Sequence, residues 1–268
     1  MQLWVADEER GLMRLEDGAC RLAGPPGTAL CAGWGRVYCA GQHACACYDR
    51  RTGETLFEVP LPTGVCGLTV LGSRLCALSS DADSVTAFSA LTGEVLFSAP
   101  AGMYPRDLCA SRQGRYLAVA GGAAGSLLLL DDCMRPVREY RLPGTVCGVC
   151  FLPRCLAALC AVEQGDITAR LMRISFRGVK EETAAAALVP SCLCPLADGG
   201  CAVGCMGEVA LFRQNKKAAL RLPYPCPVRI RQSAWGPLIC DACRGDVTLL
   251  NGQVVYGGKS PQDALLLP

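Results

Sequence analysis

The sequence predicts an all-β chain folded as a single seven-bladed β-propeller, its ring closed by a C-terminal strand that joins the N-terminal blade. Three observations predict it. First, Thr-Gly-Glu-x-Leu-Phe occurs twice, and Thr52 and Thr92 lie about 40 residues apart, a propeller-blade period. Second, weaker hairpins of the same kind recur along the chain until seven are found. Third, Ser260-Pro-Gln-Asp263 resembles Tyr104-Pro-Arg-Asp107, the start of an inner strand, so the last segment has a place in the first blade.

In chain order, the hairpins run over Leu12 to Leu22 around Asp17-Gly18, Ala44 to Phe57, Ser84 to Phe97 and Ser126 to Leu142. They continue over Ile167 to Glu182, Glu208 to Leu222, and Asp246 to Tyr256 around Asn251-Gly252. Each has β-rich runs flanking turn residues, as the outer two strands of a blade require. Before every hairpin except the first come two more strands joined by a Gly- or Pro-bearing turn, such as Cys66 to Leu71 with Arg74 to Leu78. The first blade opens directly with Gln2 to Ala6, and Asp263 to Leu267 supplies its missing inner strand. The expected blades are 1–24 with 261–268, 25–61, 62–101, 102–143, 144–186, 187–224 and 225–260. The fifth fits the repeat most loosely, and a ring of six blades follows if it fails.

Composition bounds the function. The 51% hydrophobic content, 30 glycines and 17 prolines suit a folded chain with many turns. Lys plus Arg total 26 against 24 acidic residues, so there is no basic field for nucleic acid. Every apolar stretch is interrupted well short of the roughly 18 residues of a spanning helix, so membrane insertion is not expected. Asp7, Glu8 and Glu9 stand where the apolar core of an export signal belongs, which gives the expectation of a cytoplasmic protein whose 20 cysteines stay thiols.

The Thr-Gly-Glu hairpins at Thr52-Gly-Glu54 and Thr92-Gly-Glu94 resemble YVTN-type and quinoprotein-like repeats of bacterial β-propellers, which are in turn similar to tryptophan-aspartate repeat propellers. The resemblance covers the whole chain and implies the fold. It implies no one activity, since the superfamily includes lactonase-like and surface-layer members. The Gly-His and Trp-Asp pairs of the tryptophan-aspartate family are missing. With only Trp4, Trp34 and Trp235, no quinone site is carried over and no cofactor is expected.

Propellers bind at one end of the central channel. Aligning the inner strands gives a column expected near it: Leu30, Cys66, Asp107, Gly148, Cys192, Arg229 and Asp263. Two residues on stand Ala32, Leu68, Cys109, Cys150, Cys194, Arg231 and Leu265. The charges among them need partners. One reading is a structural ion pair between Arg229 and Asp263 of adjacent blades. The other is a polar ligand site around Asp107 and Asp263, with Arg229 and Arg231 as anion-binding forks. Loops on the same face add His43, Tyr104, Arg106, Glu163, Asp166, Tyr224, Arg244 and Asp246 as candidates for an interaction face.

His43 is the single histidine, which rules out multi-histidine metal sites and leaves one histidine acid or base. The spacings Cys45-x-Cys47, Cys192-x-Cys194, Cys147-x-x-Cys150 and Cys240-x-x-Cys243 raise zinc, but they fall mainly in predicted strands rather than on tight turns. Cysteine also suits crowded inner strands simply because it is small and apolar. The sharper alternative is that Cys109, Cys150, Cys192 and Cys194 converge on a soft metal. Two functions stand: a non-catalytic scaffold binding a protein partner through its loop face, or a lactonase-like hydrolase or other propeller holding a small polar or anionic ligand.

Overall fold

In the computed structural model, which describes residues 1–175, 177–178, 180–186, 188–213 and 219–268, the strands form seven four-stranded antiparallel sheets. Blade 1 contains β1 (Gln2–Asp7), β2 (Gly11–Glu16) and β3 (Ala19–Gly24). Blade 2 follows with β4 (Ala29–Gly33), β5 (Arg36–Ala40), β6 (Ala44–Asp49) and β7 (Thr55–Pro60). Blade 3 holds β8 (Val65–Leu71), β9 (Arg74–Ser79), β10 (Ser84–Ser89) and β11 (Val95–Pro100). Blade 4 holds β12 (Asp107–Ala110), β13 (Tyr116–Ala120), β14 (Ser126–Asp131) and β15 (Pro136–Arg141). Blade 5 is complete, with β16 (Thr145–Leu152), β17 (Cys155–Gln164), β18 (Asp166–Ser175) and β19 (Lys180–Ala186). Blade 6 holds β20 (Pro190–Pro195), β21 (Cys201–Cys205), β22 (Gly207–Phe212) and β23 (Leu220–Tyr224). Blade 7 holds β24 (Pro227–Ser233), β25 (Gly236–Asp241), β26 (Asp246–Leu249) and β27 (Val254–Gly257). Finally β28 (Pro261–Leu267) returns to pair antiparallel with β1, Gln2 opposite Leu267 and Ala6 opposite Asp263, so the ring closes as the sequence predicts.

The second strands of most blades are buried along nearly their whole length rather than alternately, because each sheet packs on a neighbour through both faces. In β1, Leu3 and Val5 face blade 7 while Trp4 and Ala6 face blade 2. Among the described residues seven apolar clusters result, one at each blade contact. Cysteine fits this arrangement as a small apolar residue, and twelve of the twenty are buried.

The Thr-Gly-Glu turns show how local sequence sets local structure. The Asp49 carboxylate accepts the N–H groups of Arg51 and Thr52, and Gly53 takes the left-handed conformation (φ 80°) that lets the chain turn back into β7. The Ser89 hydroxyl takes the same role toward Thr92 in blade 3. The inner strands all begin at one end of the ring, the upper face, which also carries the loops between second and third strands.

Candidate functional site

At the upper face the channel opens into a funnel of about 590 Å³. Ile167, Val189, Pro190 and Val228 give it an apolar wall, Thr28, Thr145 and Ser191 add hydroxyls, and its two charged lining residues, Arg106 and Arg229, are both arginines. The funnel ends on a bar across the axis. Arg229 of blade 7 donates from Nη1 to Asp107 Oδ1 of blade 4 at 3.2 Å and from Nη2 to the Cys66 carbonyl of blade 3 at 3.1 Å. In a seven-membered ring these are the blades opposite its own. Its Nε is buried without a hydrogen-bond partner.

Arg231 grips Asp263 with two donors, Nε to Oδ1 at 2.9 Å and Nη2 to Oδ2 at 2.6 Å, and Nη2 also reaches the Leu30 carbonyl at 2.8 Å. The expected Arg229–Asp263 pair is therefore replaced by two others: the stagger of neighbouring inner strands sets Arg231, two residues on, level with Asp263. The repeated Pro-x-Asp segments take equivalent roles. Asp107 Oδ2 accepts the N–H of Val149 in the following blade, and Asp263 Oδ2 accepts that of Leu30.

The two carboxyls differ electrostatically. Burial pushes Asp107 up, and the Arg229 charge and the Val149 N–H, both on its carboxylate, offset only part of this. For Asp263 burial acts the same way, but the two-pronged Arg231 contact outweighs it and holds the carboxyl below the usual range.

The register corrects two members of the aligned column. Ala29, not Leu30, lies opposite Ala40, and Gly67, not Cys66, lies opposite Leu78, because Cys66 is the extra residue of a β-bulge. Leu30 packs between blades 1 and 2, and Leu68, now out of phase, packs between blades 2 and 3.

Among the loop candidates, Arg106 lines the funnel, while His43 is exposed and lines an adjoining recess of about 250 Å³, with Gln42 and Thr63, that shares Thr28 with the funnel. Tyr104 is exposed in a left-handed conformation (φ 50°), its N–H bound to Asp83 Oδ1 at 2.7 Å. Glu163 and Asp166 are exposed at the β17–β18 tip and Arg244 on the β25–β26 turn, whereas Asp246 is half-buried and burial raises its carboxyl. Tyr224 is a correction: only 5% exposed, it packs between blades 6 and 7 with its hydroxyl on Thr248 and the Arg244 guanidinium over its ring. As the last residue of β23 it faces the neighbouring blade, so it offers no interaction surface.

The four cysteines Cys109, Cys150, Cys192 and Cys194 do not meet. Among the described residues they form no group with three ligand atoms in mutual reach, and Cys192 and Cys194 lie in the blade 6–7 core while Cys150 lies in the blade 5–6 core. Burial pushes the Cys192 thiol up to about 11 and Cys194 up to about 12.

Sequence reasoning missed two buried carboxylates at the ends of second strands. Asp7 accepts the N–H groups of Glu9, Arg10 and Lys259 and the hydroxyl of Tyr256, tying blade 1 to blade 7. Asp241 accepts the N–H groups of Cys226, Cys243 and Arg244. The available signal was positional, since both close a second strand just before a turn.

No family model matches the chain, and no curated protein matches it in sequence. Solved structures do. A putative 6-phosphogluconolactonase from Bacteroides uniformis matches over 98% of this chain and 98% of its own, at 13% identity and a TM-score of 0.76. BamB from Moraxella catarrhalis matches over 94% and 81%, at 14% identity and a TM-score of 0.62. BBS1N, solved in complex with ARL6, matches over 90% and 84%, at 15% identity and a TM-score of 0.71. The chain shares the seven-bladed propeller fold. At these identities the likeness is one of fold, and function rests on the site.

Proposed function

We propose that the chain is a non-catalytic interaction module whose upper funnel takes an extended segment of a protein partner, with an acidic group toward Arg106 and Arg229 and an apolar side chain against Ile167, Val189 and Pro190. The carrying observation is the arginine bar. Asp107 and Asp263, the two carboxylates at the channel, are already held by Arg229, Arg231 and backbone N–H groups, so neither is poised to take a proton from a substrate. The funnel above presents an apolar wall and positive charge, a combination suited to an acidic, apolar peptide. Protein binding by propellers of this shape is seen in BBS1N with ARL6. A reducing compartment belongs to this reading, supported by cysteines used as apolar core residues.

The test is an array of short peptides probed with labelled protein. Acidic peptides with a bulky apolar residue are expected to bind the wild type and to lose binding to Arg106→Glu. Binding that ignores peptide charge overturns the reading.

The arginine pair also favours a second reading, a small anionic ligand in the same funnel. A rise in melting temperature with sugar phosphates or lactones, lost in Arg106→Ala and accompanied by no peptide binding, would select it.

A further inference from the structure

The Cys240-x-x-Cys243 spacing has a different outcome from the one its sequence suggests. Cys240 is buried between blades 7 and 1, whereas Cys243 is exposed on the β25–β26 turn. The neighbour of Cys243 comes from the connection between blades 6 and 7: the N–H groups of Cys226 and Cys243 both donate to the Asp241 carboxylate, and burial together with the nearby Cys243 thiol pushes the Cys226 thiol up. On the other side, Cys226 Sγ lies 3.7 Å from Met206 Sδ, on the β21–β22 turn.

Backbone contacts hold the three segments together. Gly207 N–H donates to the Pro225 carbonyl at 3.0 Å, and Ala242 N–H donates to the Cys226 carbonyl at 3.0 Å. The buried Asp241 carboxylate accepts the N–H of Cys226 at 3.1 Å and that of Cys243 at 3.0 Å. The sulfurs are thus placed by fixed backbone yet face solvent, with Met206 43% exposed.

We propose that Met206, Cys226 and Cys243 form a three-sulfur site for a soft monovalent cation, Cu(I). Two thiolates and a thioether are the ligand set that such an ion prefers. Metal–sulfur bonds of about 2.3 Å in a trigonal plane place the sulfurs about 4 Å apart, close to the separation of Cys226 and Met206. Binding replaces two thiol protons, which leave to solvent, and oxidises nothing. The bound group carries one negative charge.

Other sulfur and carboxylate groups lack this arrangement. The Asp131–Asp132–Cys133 group is an exposed turn whose Asp131 Oδ1 is already taken by the N–H groups of Cys133 and Arg135. Buried thiols such as Cys39 are closed to solvent, unlike Cys243 and the half-buried Cys226.

The full chain, reduced and kept free of oxygen, is titrated with Cu(I) in competition with a chromogenic Cu(I) chelator. The wild type is expected to hold one more copper per chain than the Cys226→Ser, Cys243→Ser double variant. Met206→Leu, at a partly exposed position, is expected to keep the melting temperature and to weaken that copper by about tenfold or more. X-ray absorption of the loaded protein is expected to show three sulfur neighbours. Equal copper retention by the wild type and the double serine variant overturns the site, as does unchanged affinity in Met206→Leu. Closure of Cys226 and Cys243 to a disulfide on exposure to oxidised glutathione, with no copper retained by the reduced protein, also overturns it and assigns the pair to thiol–disulfide exchange.

Discussion

Arg231 and Asp263 stand in neighbouring blades and form a two-pronged ion pair in which the carboxylate side chain is fully enclosed. Asp263 belongs to the strand that closes the ring, so this pair joins the closure to the channel wall. Removing either partner leaves the other charge buried and unpaired.

Arg231→Ala is expected to lower unfolding stability by about 3–5 kcal/mol. A joint replacement, Arg231→Met with Asp263→Leu, is expected to recover most of the loss, because no charge is then stranded. Urea denaturation of the three proteins measures both effects; equal losses in the single and joint variants would contradict the argument.

The pH dependence has opposite signs at the two channel carboxyls. Asp263 titrates below its unfolded value, so its contribution is complete above the usual carboxylate range and is lost as pH falls through the folded value. Asp7 behaves alike: burial would raise it, but donors from Lys259, Arg10, Tyr256 and Glu9 hold it down. Asp107 titrates above its unfolded value, so stability linked to it is present in acid and lost as pH rises through the folded value. Unfolding curves across the acid range should therefore show the deficit of Asp263→Asn shrinking as pH falls, and Asp107→Asn following the opposite slope.

Deleting residues 261–268 is expected to abolish the cooperative transition. β28 covers the edge of β1, and without it the outward backbone donors and acceptors of that strand face open water or another chain. Thermal melting and size-exclusion chromatography would show a broad transition and association.

Gly122→Ala is expected to cost more than about 1 kcal/mol, because alanine is disfavoured at positive φ. Gly122 has φ 46°, and a Cβ there would overlap the Tyr104 carbonyl. The residue also bridges to Val146, so the change disturbs the loop that carries Arg106. Weakened peptide binding alongside a lowered melting temperature would register both consequences.

Native alkylation at mildly alkaline pH is expected to label Cys20, Cys133 and Cys243 first and to spare the twelve buried thiols. Burial pushes Cys76 up to about 12 and Cys201 up to about 11, which removes the reactive thiolate as well as access to it. Mass spectrometry before and after denaturation distinguishes the two populations.

The sequence by itself determined the blade count, the hairpins and the closing strand. Those features rest on local signals: a repeat from Thr52 to Thr92, turn residues such as Gly53, and the Pro-x-Asp segments before Asp107 and Asp263. It also brought Asp107, Arg229, Arg231 and Asp263 to one channel, because strand alternation is local too. Only the tertiary structure decided which of them pair. One β-bulge at Cys66 shifts a column by one residue, and the stagger of neighbouring strands hands Asp263 to Arg231 while the long Arg229 side chain crosses the axis to Asp107. The burial of Tyr224 and the meeting of Met206, Cys226 and Cys243 depend likewise on contacts between blades. Periodicity fixes the direction in which a side chain leaves its strand; what it meets there is set by the packing of the next blade.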